Sequence, residues 1–226
     1  MSNLPLTQRL SEIKENQLLL MKTRGYQLSD EEERFLEGEE IDLSLNSNYT
    51  KKIGKASHET KVYYLYDESD KNAIDGWPKS GKDDIRQIIM KYQKRKLSST
   101  TTLLLIGNNP TSSALAYLAD NRSMVDYVIE FWTLEQIIVV PIDHCTVPTH
   151  ILMKEEDVRN EIPSARQEDA KKAKVFISTM KGLNNDVVAR WIGARDGDFV
   201  KILRWSNIMD GVIPDYRVVR KSYFDK

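Results

Sequence analysis

Cysteine is almost absent. The lone Cys145 among 226 residues excludes an internal disulfide framework and any zinc site built from several thiolates, and it fits a reducing compartment. Histidine is scarce as well, and no apolar run approaches the ~18 residues that a membrane-spanning helix needs. Met1 to Arg9 contain no apolar signal region, so an intracellular chain with no membrane partner is expected. A strongly basic surface is also missing, since 18 basic residues stand against 20 acidic ones up to Thr133, and 15 against 14 beyond it. Proteins that grip nucleic acid alone draw most of their affinity from phosphate neutralisation, so any DNA contact here is expected to be local and assisted by partners.

What is present is a globular composition, 40% hydrophobic and 30% charged, with enough apolar material for a core in each of two domains. Leu6, Leu10, Ile13, Leu18 and Met21 recur at near-helical spacing and Gly25 follows as a stop, which predicts an amphipathic helix over 6–23. A second helix starts at Ser29, where Glu32 completes a capping box, with Phe35 and Leu36 as its apolar contacts. The polar stretch 37–60, including Lys51, Lys52 and Lys55, reads as a loop. Strands are expected at 61–66, 101–107 and 127–133, with helices at 82–96 and 110–120, and this alternation predicts an α/β first domain. Proline and turn residues enter after Val140, placing the boundary between Thr133 and Asp143, with domains at 1–138 and 139–226. The second domain has a helix near 154–161, a charged helical insertion at 164–174, a helix capped by Asn185 and ended by Gly193, and strands at 198–204 and 215–220. That pattern is a small α+β domain.

Three constellations imitate chemistry. Gly76 to Asp83 nearly spells a phosphate-binding loop, but Asp83 replaces the hydroxyl that would hold magnesium, so a turn with Asp83 and Asp84 at a helix N-terminus is the better reading. Asp42 with Glu59 and Lys61 has the residue types of a Mg²⁺-dependent nuclease, because residues two apart on a strand share a face. Asp143, His144 and Cys145 are adjacent and so point to different faces of an extended segment, and Cys145 is expected to be a small buried apolar residue. Lys91, Lys94, Arg95 and Lys96 suit the last turn of a helix, with a DNA contact as the competing reading.

The C-terminal third is more specific. Ile142-Asp-His144-Cys-Thr-Val147-Pro148-Thr-His150 through Glu156, then Asp186 through Gly193 and Gly197 to Ser206, with Tyr216 to Val219, resembles the assembly domain of the fifth common subunit of eukaryotic nuclear RNA polymerases and of its archaeal counterpart. Arg24-Gly25-Tyr26 and the turn containing Pro110 resemble that family's jaw domain more faintly. Archaeal members lack the jaw, so the resemblance points to a eukaryotic polymerase or to a large DNA virus carrying a copy. The chain departs from the family at Val187, at Trp205, at Met209 and Asp210, and over 164–184.

The resemblance implies an α/β N-terminal jaw domain joined to a small α+β assembly domain with a mixed sheet. It implies a DNA-directed RNA polymerase subunit with no active site and no cofactor or metal, docked on the largest subunit and touching other polymerase subunits. Downstream duplex DNA would be a weak, non-specific partner, with Asn109, Pro110, Thr111 and Ser112 as the DNA-proximal turn. The implied interface residues are His144, Val147, Pro148, His150, Gly193, Gly197, Arg204, Ser206, Tyr216 and Arg217. The implied location is the nucleus in a cell, or the virion or host transcription site for a virus. The competing readings are a stand-alone nuclease built on Asp42, Glu59 and Lys61, and a free transcription regulator that borrowed the domain.

Overall fold

Helix α1 (Leu6–Thr23) ends where its spacing predicts, with the Gly25 N–H on the Lys22 carbonyl and the Tyr26 N–H on that of Met21. Helix α2 (Asp30–Leu36) starts in the expected capping box, Ser29 and Glu32 each accepting from the other's backbone. The computed structural model describes residues 6–67, 77–93, 100–171, 178–180 and 186–221. Lys94 to Lys96, Gly76, Asn185 and much of the expected insertion lie outside them. By contacts the chain divides into two units, Met1–Val139 and Val140–Lys226. Among the described residues no helix is long and apolar enough to cross a membrane.

The stretch expected to be a loop is instead a hairpin, β1 (Ser47–Ile53) and β2 (Ala56–Tyr64), paired in register from Ser47 with Val62 to Ile53 with Ala56. Gly54, at φ 59°, supplies the positive dihedral that a two-residue hairpin turn needs. Only Tyr49 is buried along β1, so one wet face and one sparse face erase the apolar alternation that would have marked it.

From β2 the chain crosses through α3 (Lys82–Gln93) to β3 (Thr101–Gly107), and through α4 (Ser112–Met124) to β4 (Val128–Thr133), which leads into the short α5 (Leu134–Ile137). The sheet order is β1-β2-β3-β4, with β2, β3 and β4 parallel. Both helical crossovers move the same way across the sheet, so α3 and α4 cover one face and α1 the other. Every residue of β3 is buried, which is why this strand reads as an apolar run without alternation.

Polar groups tie α1 to the sheet. Arg24 meets Glu130 of β4 at 2.7 Å, and Thr60 of β2 donates to the Tyr26 hydroxyl. Lys14 is buried on α1 and gives its three ammonium donors to neutral acceptors: Gln17 Oε1 at 3.0 Å, Ser47 Oγ at 2.9 Å and the Leu45 carbonyl at 3.4 Å. Burial draws its pKa from the ordinary 10.5 down to about 8, partly offset by Glu32.

The second unit opens with a 3₁₀ turn (Pro141–Asp143), then β5 (Thr149–Leu152), α6 (Glu155–Glu161), α7 (Ser164–Lys171), β6 (Ser178–Met180), α8 (Val187–Trp191), β7 (Phe199–Ser206) and β8 (Gly211–Lys221). Its sheet order is β5-β7-β8-β6, antiparallel except where β6 runs parallel to β8. This is the mixed sheet of an α+β domain. Ala189 and Ile192 pack with Val200, Ile202 and Val219 on one face, while Met153, Val158 and Ile162 pack with Phe199 and Tyr216 on the other. Strand β8 begins four residues earlier than expected, because Pro214 reads as a breaker in sequence yet pairs with Leu203 in the hairpin.

The folded chain releases the Lys14 proton more readily than the unfolded chain, so the unfolded state holds more protons between about pH 8 and 10.5. Stability therefore rises with pH across that window. Tyr49 and Tyr64, pushed up by burial, oppose this only above pH 10. Urea denaturation from about pH 7.5 to about 9.5 is expected to show increasing stability that the Lys14→Met variant lacks.

Candidate functional site

The expected contact residues fall in two places, one in each unit. In the first, the turn Asn109 to Ser112 stands at the C-terminal end of β3, leading into α4. Thr111 caps that helix, its hydroxyl accepting from the Ala114 N–H at 3.3 Å, while Asn109 and Ser112 are exposed. The turn is braced from below by 77–80. The Thr111 N–H donates to the Ser80 carbonyl at 3.2 Å, the Ser80 hydroxyl to the Asn108 carbonyl at 2.7 Å, and the Asn108 amide to the Trp77 carbonyl at 2.7 Å. Gly107 is required by this packing, since a Cβ there would meet Ser80 Oγ at 2.8 Å and Leu65 at 3.0 Å.

The brace also brings exposed Lys79 and Lys82 beside the turn, with the Lys82 ammonium 5.7 Å from the Tyr117 ring and Asp83 and Asp84 following in the first turn of α3. These lysines were not singled out from sequence, because nothing in the linear order joins residues 79–82 to residues 109–112.

In the second unit the β7–β8 hairpin carries the surface. Strand alternation puts Arg204, Ser206, Asp215 and Arg217 on one face, which they share with His150 of β5. Asp215 Oδ2 accepts from Arg217 Nε at 3.2 Å and lies 4.0 Å from Arg204 Nε. One carboxylate thus serves two guanidinium groups, so positive charge remains in excess on this face. Tyr216 points to the opposite face. Its hydroxyl donates to Glu161 at 2.7 Å, and the same carboxylate accepts from Lys201, so Tyr216 is engaged within its own unit. The Lys201 and Tyr216 hydrogen bonds hold the Glu161 carboxyl below its usual pKa.

The remaining implied residues shape the approach to the hairpin. His144 is exposed and bonded through Nδ1 to the Thr146 hydroxyl at 2.9 Å; Val147 and Pro148 are half-buried; His150 Nδ1–H donates to the Pro148 carbonyl at 2.6 Å. Gly193 (φ 75°) ends α8, and Gly197 (φ 91°) turns the chain into β7, its N–H on the Val219 carbonyl. Ser206 Oγ accepts from the Met209 N–H in the hairpin turn. Cys145 corrects the expectation of burial: it is exposed, because the loop after the 3₁₀ turn lies on the surface.

What sequence reading missed is the apolar crest of the hairpin. Trp205, Ile208, Met209 and Val212 are 63%, 94%, 70% and 58% exposed. Trp205 and Val212 face each other across the register, and Ile208 and Met209 form the tip. An alternating apolar strand ordinarily signals a core, so only the structure tells an outward crest from an inward one.

The nuclease constellation is dispersed. Glu59 and Lys61 share a face of β2 and bond to each other, while Asp42 lines a cleft beside α1 and α2. Among the described residues no three His, Cys, Asp or Glu side chains converge as a metal site requires.

Residues 139–219 match the family model of the RNA polymerase Rpb5 C-terminal domain. The match covers the hairpin surface and leaves the braced turn outside it. For that turn, Asn108→Ala is expected to remove the tie to the Trp77 and Pro78 carbonyls and to cost about 1–3 kcal/mol in urea unfolding.

Proposed function

We propose, from the match of the second unit to the Rpb5 C-terminal domain, that this chain is an RNA polymerase subunit of that family, that it docks through the β7–β8 hairpin on the largest polymerase subunit and that its first unit forms part of the lower jaw beside entering DNA. The apolar crest carries this reading. Four large side chains gather at one hairpin end, with the aromatic and methionine side chains that are enriched at interface centres, while Arg204 and Arg217 lie on the other face of the strands. A stretch like this left in water invites association, and burial against a partner removes the liability.

The first unit supports a weak, sequence-independent contact with duplex DNA at the turn Asn109 to Ser112. Hydroxyls and backbone N–H groups position phosphates without reading bases, and Lys79 and Lys82 add local positive charge that the turn itself lacks. Asp83 and Asp84 oppose that charge, which fits a contact made only within an assembled enzyme. The chain contributes surfaces to transcription, while nucleotide addition belongs to the largest subunits. In a eukaryotic cell this work is nuclear; a virus-borne copy would act in the virion or at the host transcription site.

Tagged chain purified gently from its native setting is expected to carry the two largest polymerase subunits at one-to-one stoichiometry by native mass spectrometry. The double variant Trp205→Ser, Ile208→Ser is expected to lower that recovery about tenfold, while its melting temperature stays within about 2 °C of the parent because both residues are already solvated. Unchanged recovery would remove the hairpin from the interface, and substoichiometric recovery would favour a free regulator.

A further inference from the structure

We propose that the cleft between α1 and α2 is a docking site for a basic, amphipathic segment of a partner protein. Helix α2 is well formed, capped at its start by Ser29 and at its end by the Glu37 N–H, yet none of its residues is buried. A capped helix whose apolar side chains are only partly buried leaves an apolar face open to a counterpart. Phe35 and Leu36 are that face. With Ile41 they floor an open cleft of about 440 Å³, whose rim carries Glu15 from α1 together with Glu39, Glu40 and Asp42.

The charge of the rim selects the occupant. Four carboxylates line the cleft, and no lysine, arginine or histidine does. Among the described residues Arg34 pairs with Glu39 and Lys22 with Glu33, which leaves Glu15, Glu40 and Asp42 around the apolar floor without an ion pair. Nucleic acid and acidic peptides are repelled by such a rim. A bare divalent cation fits no better, because no three acids converge and the apolar floor would serve no purpose for it. A segment that presents leucine-like side chains to Phe35, Leu36 and Ile41, and lysine or arginine to the rim, satisfies both halves of the cleft. The surface lies in the first unit and stands independently of how the hairpin docks.

The test is fluorescence anisotropy of the full chain with a short fluorescein-labelled peptide of lysine and leucine patterned as an amphipathic helix. Saturable micromolar binding is expected, weakened about tenfold by Glu15→Gln with Asp42→Asn, and similarly by Leu36→Ser. The same loss of charge outside the cleft, Glu31→Gln with Glu37→Gln, is expected to change the affinity less than about twofold. The four acids are exposed and Leu36 is only partly buried, so the variants are expected to retain the fold, which circular dichroism verifies. Absence of saturable binding overturns the proposal. So does equal weakening by both charge pairs, which would mark a diffuse response to acidic surface. Sedimentation of the protein alone supplies the remaining arm: a dimer abolished by Leu36→Ser would give the cleft to a second copy of the chain and overturn the proposal too.

Discussion

Adjacent side chains on a pleated strand leave on opposite sides, and both units are organised by that constraint. In β3 it sends every second residue toward α1 and the others toward α3 and α4. Because Leu103, Leu104, Leu105 and Ile106 are all apolar, neither side tolerates water and helices are compelled on both. In β8 the same rule divides Tyr216 from Arg217. The first is drawn to Glu161 and the core under α6, the second to the charged face beside Arg204. One residue of register shift would exchange them, and the surface would lose its arginine while burying a guanidinium.

The polar ties have different characters. Arg24 and Glu130 join α1 to the sheet as a mutually neutralising pair, and removing either partner would strand a charge at low accessibility. Lys14 is hydrogen-bonded by neutral acceptors alone, and only the charge of Glu32 offsets part of the cost of burying its own. Asp215 is the reverse, one acid between two bases on an accessible strand. Such leftover charge costs little in water and would become directional if a partner covered the face.

Where local chemistry decides the conformation, sequence was a sufficient guide. The Ser29–Glu32 box, the glycine stop after α1, the apolar run of β3 and the helices flanking it all follow from patterns within a few residues. Elements whose side chains are mostly wet left no such pattern, so β1 passed for loop, and Pro214 hid the start of β8. Long-range placement was beyond reach for a different reason. The brace between 77–80 and the turn at 109–112 joins residues some thirty apart, its side-chain donors Ser80 and Asn108 meeting backbone carbonyls that no local pattern marks. The hairpin crest has the residue types of a core strand, and a sequence does not record on which side of the molecular surface a tryptophan will stand.

The double-sided burial of β3 also sets terms for biosynthesis. The strand emerges from the ribosome with the apolar run Leu103 to Ile106 uncovered, and its parallel neighbour β4 follows only after α4. Until Thr133 is out, one long edge of β3 remains open and adhesive, and its closure depends on contacts distant along the chain. The hairpin of the second unit needs only a local turn to pair. A nascent chain of this protein therefore carries its greatest aggregation hazard early, and a chaperone that shields the first hundred and thirty or so residues would protect it at the stage when its own helices cannot.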